Sequence, residues 1–348
     1  MAEPGRRNLI TDVAGLRVGN AHDEAARTGV TVVLPDRPAL ATVDVRGGGP
    51  GTRETDLLQP STAVDRVDAI CLSGGSVFGL QAADEVVSWL GEQGRGFAVG
   101  PWHMPIVPGA IIFDLAAGGT VDPVAAPPYR QLARSACAAA GAQFALGNAG
   151  AGMGARAGRL KGGLGSASIG TADGVMVGAL AVANPVGATT MPGSDAFWAW
   201  ALEQNGEFGG LAPVGRATEA DPDIPLDSRL GGNTTLAVVA TNVALDKGQA
   251  QRVAVMAHDG MARAIRPVHT PFDGDSIFVL SLGEAATTPP TALTVARIGA
   301  LAADCVARAI TRGVYEAEPL GEIPSYRSRL DAGSGRADNE NASAGREE

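Results

Sequence analysis

The chain predicts an α/β fold, and three observations carry that expectation. Several apolar runs are continuous rather than alternating, as strands buried on both faces require. Longer helical patterns lie between them, bounded by capping residues and by glycine or proline stops. Glycine supplies 48 of 348 residues, about twice its usual share, so many backbone positions need close approach or a positive φ. The strand-like runs fall at Gly29–Leu34, Val67–Leu72, Ala110–Asp114, Val175–Ala183, Thr234–Thr241 and Ser276–Leu282. The first helical pattern, Ser76–Leu90, opens after Gly74-Gly75 and stops at Gly91. The second, Asp246–Ile265, begins with an Asp that can cap and closes before Pro267. The third, Thr291–Thr311, is alanine-rich and is expected to end at Gly313. Local and crossover connections alternate along the chain, which suits layered α/β packing.

Composition bounds the rest. With 45% hydrophobic, 4% aromatic and 18% charged residues, the core must be built largely from Ala, Val and Leu. The length allows one large domain or two modest ones. A net charge of −10 with no basic cluster argues against nucleic acid and anionic membranes as partners. Cys71, Cys137 and Cys305 are far apart, odd in number and set in apolar stretches, so they predict buried free thiols in a reducing compartment. The first residues, Met1 to Arg7, have no apolar segment behind them, and no run of about 18 apolar residues exists. A soluble, cytoplasmic protein is expected. Gly206–Leu230 has the composition of a linker, and Asp331–Glu348 that of a disordered tail.

One segment stands out chemically. Gly231-Gly232-Asn233-Thr234-Thr235 precedes the apolar run Leu236–Ala240. Scission of the Asn233–Thr234 peptide would give Thr234 a free α-amine, which can serve as base for its own hydroxyl. The glycines would supply freedom for a strained scissile bond. The same five residues fit a plain turn entering a strand equally well. A cut there would leave two pieces, Met1–Asn233 and Thr234–Glu348, intertwined in one fold.

Other constellations are weaker. Arg46-Gly47-Gly48-Gly49-Pro50-Gly51 lacks the lysine of a phosphate-binding loop, and Ser73-Gly74-Gly75-Ser76-Val77-Phe78 fails the nucleophile-elbow spacing at Phe78. Gly74-Gly75 is better read as tight strand–helix packing. His22, His103, His258 and His269 show no ligand spacing, and Asp273-Gly274-Asp275 runs into a strand where a calcium loop needs further ligands. No metal or cofactor is expected. Lys161, one of only two lysines, lies in the glycine-rich stretch Gly158–Gly165, read as a loop. Desolvated there, it can polarise a hydroxyl or stabilise an oxyanion; solvated, it is an ordinary loop lysine. Asn184, at a strand's end, can offer an oxyanion donor or simply make a turn.

Taken in order, these segments resemble the self-processing D-aminopeptidase/β-aminopeptidase family, which includes nylon-oligomer hydrolases. The matching stretches are Arg46–Gly48, Arg53–Leu57, Leu72–Ser76, Ala149–Gly152, Lys161–Gly163, Asn184–Gly187, Gly232–Thr235 and His269–Asp275. The resemblance implies a four-layer α-β-β-α sandwich with an N-terminal-nucleophile type of topology. It implies a single domain over 1–330, cut between 233 and 234, and a homo-oligomer, often a tetramer. It assigns Thr234 as nucleophile, Lys161 and Asn184 as support for nucleophile and oxyanion, and Asp273 and Asp275 as the orienting acidic pair. Thr with two Asp leans toward the nylon-oligomer branch. Where members often carry a tyrosine, this chain has Phe113 before Asp114, which removes a phenolic donor from the oxyanion's surroundings. An aminopeptidase acting on short peptides or amino-acid amides is the first expectation, and an aminoalkanoate-oligomer hydrolase the second. A non-catalytic scaffold homologue that never cuts itself is the rival from another class.

Overall fold

The computed structural model describes residues 2–214, 231–283 and 290–332. In chain order the main elements begin with β1 (Leu16–Asp23), β2 (Thr28–Pro35), β3 (Ala39–Val45), β4 (Ile70–Ser73), α1 (Gln81–Gly91), β5 (Gly109–Ile111) and α2 (Tyr129–Ala138). They continue with β6 (Gly163–Thr171), β7 (Met176–Asn184), β8 (Thr234–Thr241), α3 (Lys247–Ala264), β9 (Ser276–Ser281) and α4 (Ala292–Tyr315). The larger sheet has seven strands in the order Ala2–Glu3, β6, β7, β8, β9, β3, Arg66–Val67. The smaller has five, in the order β1, β2, β4, β5, Thr52–Arg53. Neighbours in the larger sheet are antiparallel except β8 and β9, which run parallel. Parallel pairing sets the start of β8 beside the segment entering β9.

Three apolar layers hold these elements together. Val238 and Leu236 of β8 face Val18, Val33 and Ile70 of the smaller sheet. Their alternates Ala237 and Val239 face Val253 of α3 and Ile298 and Val306 of α4. Both faces of β8 are therefore dry, which is why its sequence is continuously apolar instead of alternating. On the far side, Val30, Val32 and Cys71 pack against Val86 of α1 and Ala133 and Cys137 of α2. The result is the expected four-layer α-β-β-α sandwich, and all three cysteines are buried and free.

Local chemistry explains the helix starts. Asp246 Oδ1 accepts a bond from the Gln249 amide, and the Asp246 amide donates to Gln249 Oε1, closing a capping box at the head of α3. Thr291 caps α4 through the Thr294 amide. The expected stop of α4 at Gly313 does not occur, since the helix runs on to Tyr315. A Cβ at Gly313 would lie 2.8 Å from the Gly163 carbonyl, and one at Gly165 would lie 1.9 Å from that of Ala309. These glycines let α4 lie directly on β6, so their role is contact rather than termination.

Other boundaries also moved. Val67–Leu72 divides between the two sheets, as Arg66–Val67 and β4. The pattern from Ser76 opens as a 3-10 turn, Ser76–Leu80, before α1 begins. Strands β1, β3 and β6 and helix α2 were not anticipated. The stretch read as a loop around Lys161 is a short hairpin, Leu160–Lys161 paired with Arg156–Ala157, followed by β6. Most of the expected linker, 215–230, and of the expected tail, 333–348, lies outside the described residues. Residues 331 and 332, taken as the start of that tail, close a helical stretch over 326–332. Among the described residues no helix is long and apolar enough to cross a membrane.

Candidate active site

Thr234 is the first residue of β8 and is almost fully buried. Antiparallel register sets it opposite Asn184, the last residue of β7. On its other side Asn233 bridges to Asp273, just before β9. The Thr234 hydroxyl donates to the Asn233 carbonyl oxygen, and the Gly274 amide donates to the same oxygen at 3.0 Å. The carbonyl of the suspected scissile peptide is thus polarised by a backbone N–H and touched by the hydroxyl that would attack it. Gly274 must be glycine here, because an added Cβ would stand 2.7 Å from Thr234 Oγ1.

The acidic pair surrounds this peptide without touching the Thr234 hydroxyl. Asp275 Oδ1 accepts the Thr235 amide at 2.7 Å, and its Oδ2 accepts the His269 amide at 3.0 Å and faces His269 Nδ1 at 2.8 Å. Asp273 Oδ1 accepts the Val186 amide at 3.0 Å, and its Oδ2 accepts the Thr270 hydroxyl. Burial, reinforced by the neighbouring Asp275 charge, pushes the Asp273 carboxyl up to about 6. Beneath the pair lies the Arg46-Gly47-Gly48-Gly49 segment. The Gly49 amide donates to the Asp273 carbonyl at 2.8 Å and the Arg46 amide to that of Asp275 at 2.9 Å. That glycine run is therefore a backbone platform for the acidic turn, which explains why its phosphate-loop spacing fails.

Lys161 is fully buried. Its Nζ donates to the Gly152 and Gly162 carbonyls at 2.9 and 2.8 Å. Burial drives the ammonium down to about 7, opposed by the charge of Asp114. Asp114 is itself pushed up to about 6 by burial, against bonds from Thr28 Oγ1 and the Gly75 amide, both at 2.7 Å. Gly75 has a φ of +83°, and a Cβ there would strike the Tyr129 ring at 2.1 Å. The Gly74-Gly75 pair thus permits close packing, as expected, and also frees an amide for Asp114.

Asn184 links the two groups. Its Oδ1 accepts the Arg156 amide at 2.9 Å, and Arg156 is the register partner of Lys161. Its Nδ2 lies 3.4 Å from the Phe113 carbonyl. All of this borders a cleft of about 850 Å³ lined by Phe113, Asp114, Arg156, Asn184, Gly232 and Asn233, among others. Phe113, where the family often has tyrosine, lines that cleft and brings no side-chain hydroxyl to it.

Comparison with known proteins places this arrangement. The description "Peptidase family S58" matches residues 8–325. The chain belongs to peptidase family S58. An uncharacterized aminopeptidase of Mycobacterium tuberculosis is 46% identical over 342 residues, covering 92% of this chain and 97% of that one. A 6-aminohexanoate-oligomer endohydrolase of a Kocuria strain is 32% identical over 292 residues, covering 80% and 76%. Among solved structures, a Burkholderia β-aminopeptidase superposes with a TM-score of 0.70 at 24% identity, covering 95% of each chain. An Ochrobactrum anthropi L-aminopeptidase D-Ala-esterase/amidase, described as a variant of the Ntn-hydrolase fold, gives 0.69 at 21% identity, covering 92% and 89%.

Membership of S58 makes this chain a hydrolase of amide bonds, and its sandwich is the fold of those solved structures. Within it, Thr234, Asn184, Asp273 and Asp275 converge on one peptide. Among the described residues Lys161 has no bond to Thr234 in the continuous chain, and reaches it only through the Arg156–Asn184 link. Sequence reasoning overlooked the Gly274 amide, which no side chain announces. It also noticed Asp114 only as Phe113's neighbour, although an acid ending an apolar strand was a usable signal.

Proposed function

We propose that this S58 chain is an autoproteolytic amide hydrolase whose nucleophile is Thr234. The observation that carries the reading is the Asn233 carbonyl, held by the Gly274 amide at 3.0 Å and touched by the Thr234 hydroxyl. In the first stage Thr234 Oγ bonds to the Asn233 carbonyl carbon, and the Gly274 N–H stabilises the oxyanion. The C–N bond then breaks, the amine of Thr234 leaves carrying a proton, and water opens the resulting ester. Thr234's own nitrogen is still an amide at this stage and cannot be the base. Lys161, brought down to about 7 by burial, has a neutral amine near neutral pH and would take the proton through a relay, since its Nζ bonds the Gly152 and Gly162 carbonyls and not Thr234 in the uncut chain. In the uncut chain Gly232 and Asn233 line the cleft while Thr234 lies buried behind them, so scission frees the nucleophile's approach.

In the second stage the freed amine of Thr234 takes the hydroxyl proton, Oγ attacks a substrate carbonyl, and water clears the acyl-enzyme. Asn184 Nδ2, its amide turned by the Arg156 bond to Oδ1, is the side-chain oxyanion donor. Asp275 and Asp273 hold the backbone around the nucleophile and orient its ammonium. The first substrate class is short peptides or amino-acid amides; linear aminoalkanoate oligomers are the second, favoured by the Thr–Asp–Asp set. A homotetramer in the cytoplasm is the setting we propose. Turnover of an amino-acid amide, a tripeptide and a 6-aminohexanoate trimer, measured beside Thr234→Ala, tests the reading. Hydrolysis of any of them by the wild type and none by the variant supports it. Equal turnover by both removes Thr234 from the chemistry, and no turnover by a fully cut enzyme returns the chain to the scaffold reading.

A further inference from the structure

The cleft beside the scissile peptide carries a charge pattern unlike the rest of the chain. The net charge is −10, yet this wall includes Arg27, Arg156 and Arg159. The acids on the same wall are Asp114, which is buried, and Glu322, which is exposed. Low-dielectric walls of one charge sign focus their field on whatever enters.

Two of the arginines are held in place by backbone. Arg27 Nη1 donates to the Ala117 carbonyl at 2.6 Å. Its guanidinium lies between Gly118 and Gly321, where an added Cβ would stand 3.0 and 2.6 Å from Nη1. Both glycines have positive φ, +81° and +61°, a backbone conformation that favours glycine and leaves room for the guanidinium. Arg156 is anchored at two points: its amide on Asn184 Oδ1 at 2.9 Å and its Nε on the Gly158 carbonyl at 2.8 Å. Its terminal amino groups have no protein partner among the described residues. A guanidinium fixed at one edge and unpaired at the other is arranged for a planar, two-oxygen anion.

We propose that Arg27 and Arg156 receive a substrate carboxylate, so that the preferred substrates are short amides ending in a free acid. The inference rests on the amide-hydrolase reading above and specifies its substrate class. Arg156 is the nearer group to the chemistry, since its own amide orients the proposed oxyanion donor. The anion is either the α-carboxylate of a short peptide or the ω-carboxylate of an aminoalkanoate oligomer; the chemistry recognised is the same.

Matched substrates test it. The kcat/KM of the wild type is measured on a tripeptide and on its C-terminal carboxamide, and on a 6-aminohexanoate trimer and its carboxamide. The acid is expected to exceed its amide by roughly ten- to hundred-fold, the range of a charged hydrogen-bonded pair. Whichever backbone shows that ratio identifies the source of the anion. In Arg156→Gln and Arg27→Gln the ratio should fall toward one, with Arg156→Lys recovering part of it. A partly unfolded preparation lowers both substrates alike, so the ratio is insensitive to folding. Acid and amide handled equally by the wild type, or a ratio untouched by both variants, overturns the proposal while leaving the hydrolase reading intact. Should neither substrate turn over, calorimetric binding of the same pairs decides it: an acid that binds no tighter than its amide also overturns it.

Discussion

Two buried carboxylate neighbourhoods serve the Asn233–Thr234 region, and they are built on opposite electrostatic terms. Asp114 is paired in the field of a cation, Lys161, and burial drives both toward neutrality, to about 6 and about 7. Asp273 instead faces another acid, Asp275, and each oxygen pair is absorbed by the Val186, Thr235 and His269 amides and the Thr270 hydroxyl. The first neighbourhood can gain and lose a proton near neutral pH. Asp273 of the second is raised to the same range, but there the oxygens also hold three backbone segments in place. The difference teaches that buried acids close to one peptide bond divide between facing a cation and fixing backbone geometry.

The sharpest way to break that division is Lys161→Met. If Lys161 is the base of the first stage, self-cleavage should slow by roughly 10²- to 10⁴-fold. In the wild type the rate should rise with pH and flatten above about 7, where the amine is neutral, and the variant should lose that limb. A rate that instead falls through pH 7 would make Lys161 a cationic oxyanion partner. Time courses of scission at several pH values, resolved by gel, separate the two.

The next effect belongs to the second neighbourhood. Gly274→Ala places a Cβ 2.7 Å from Thr234 Oγ1 and 2.9 Å from the Gly49 carbonyl, so the hydroxyl must shift against the Asn233 carbonyl. A displacement of that order should cost about 10²-fold in scission rate. Unchanged scission would show that a side chain at Gly274 does not crowd the hydroxyl.

The smallest effect is on stability. Asp273 is raised from 3.8 to about 6 in the folded chain, so the native state holds its proton over that interval and stability declines as pH rises through it. Asp114 is raised over the same interval and should contribute a slope of the same sign. Asp273→Asn should therefore flatten part of the decline in urea midpoint between pH 4 and 7. A steeper decline would mean that Asp273 gains more from its hydrogen bonds when ionised than burial takes away.

Much of this was legible in the chain, for physical reasons that differ by element. The β8 run was read residue for residue because both its faces are buried and its pattern is unbroken. The head of α3 was equally plain, since Asp246 and Gln249 form a box that needs no tertiary partner. Strand β6 was not legible: Gly163-Leu164-Gly165-Ser166 has loop composition, and its ladder with β7 and the approach of α4 onto those glycines are tertiary. Asn184, Asp273 and Asp275 were assigned through the family resemblance, whereas Thr234 stood out by its setting before an unbroken apolar run. Gly274 did not, because its part is played by an amide. Arg27 and Arg156 did not either, because the fold alone brings Arg27 between Gly118 and Gly321 and onto one wall with Arg156.

The most direct measurement of the central claim is the intact mass, under denaturing conditions, of the purified wild type beside Thr234→Ala. The account predicts two fragments from the wild type, ending at Asn233 and beginning at Thr234, and one continuous chain from the variant. A single uncut wild-type chain after long incubation, or fragments that persist in the variant, would contradict it.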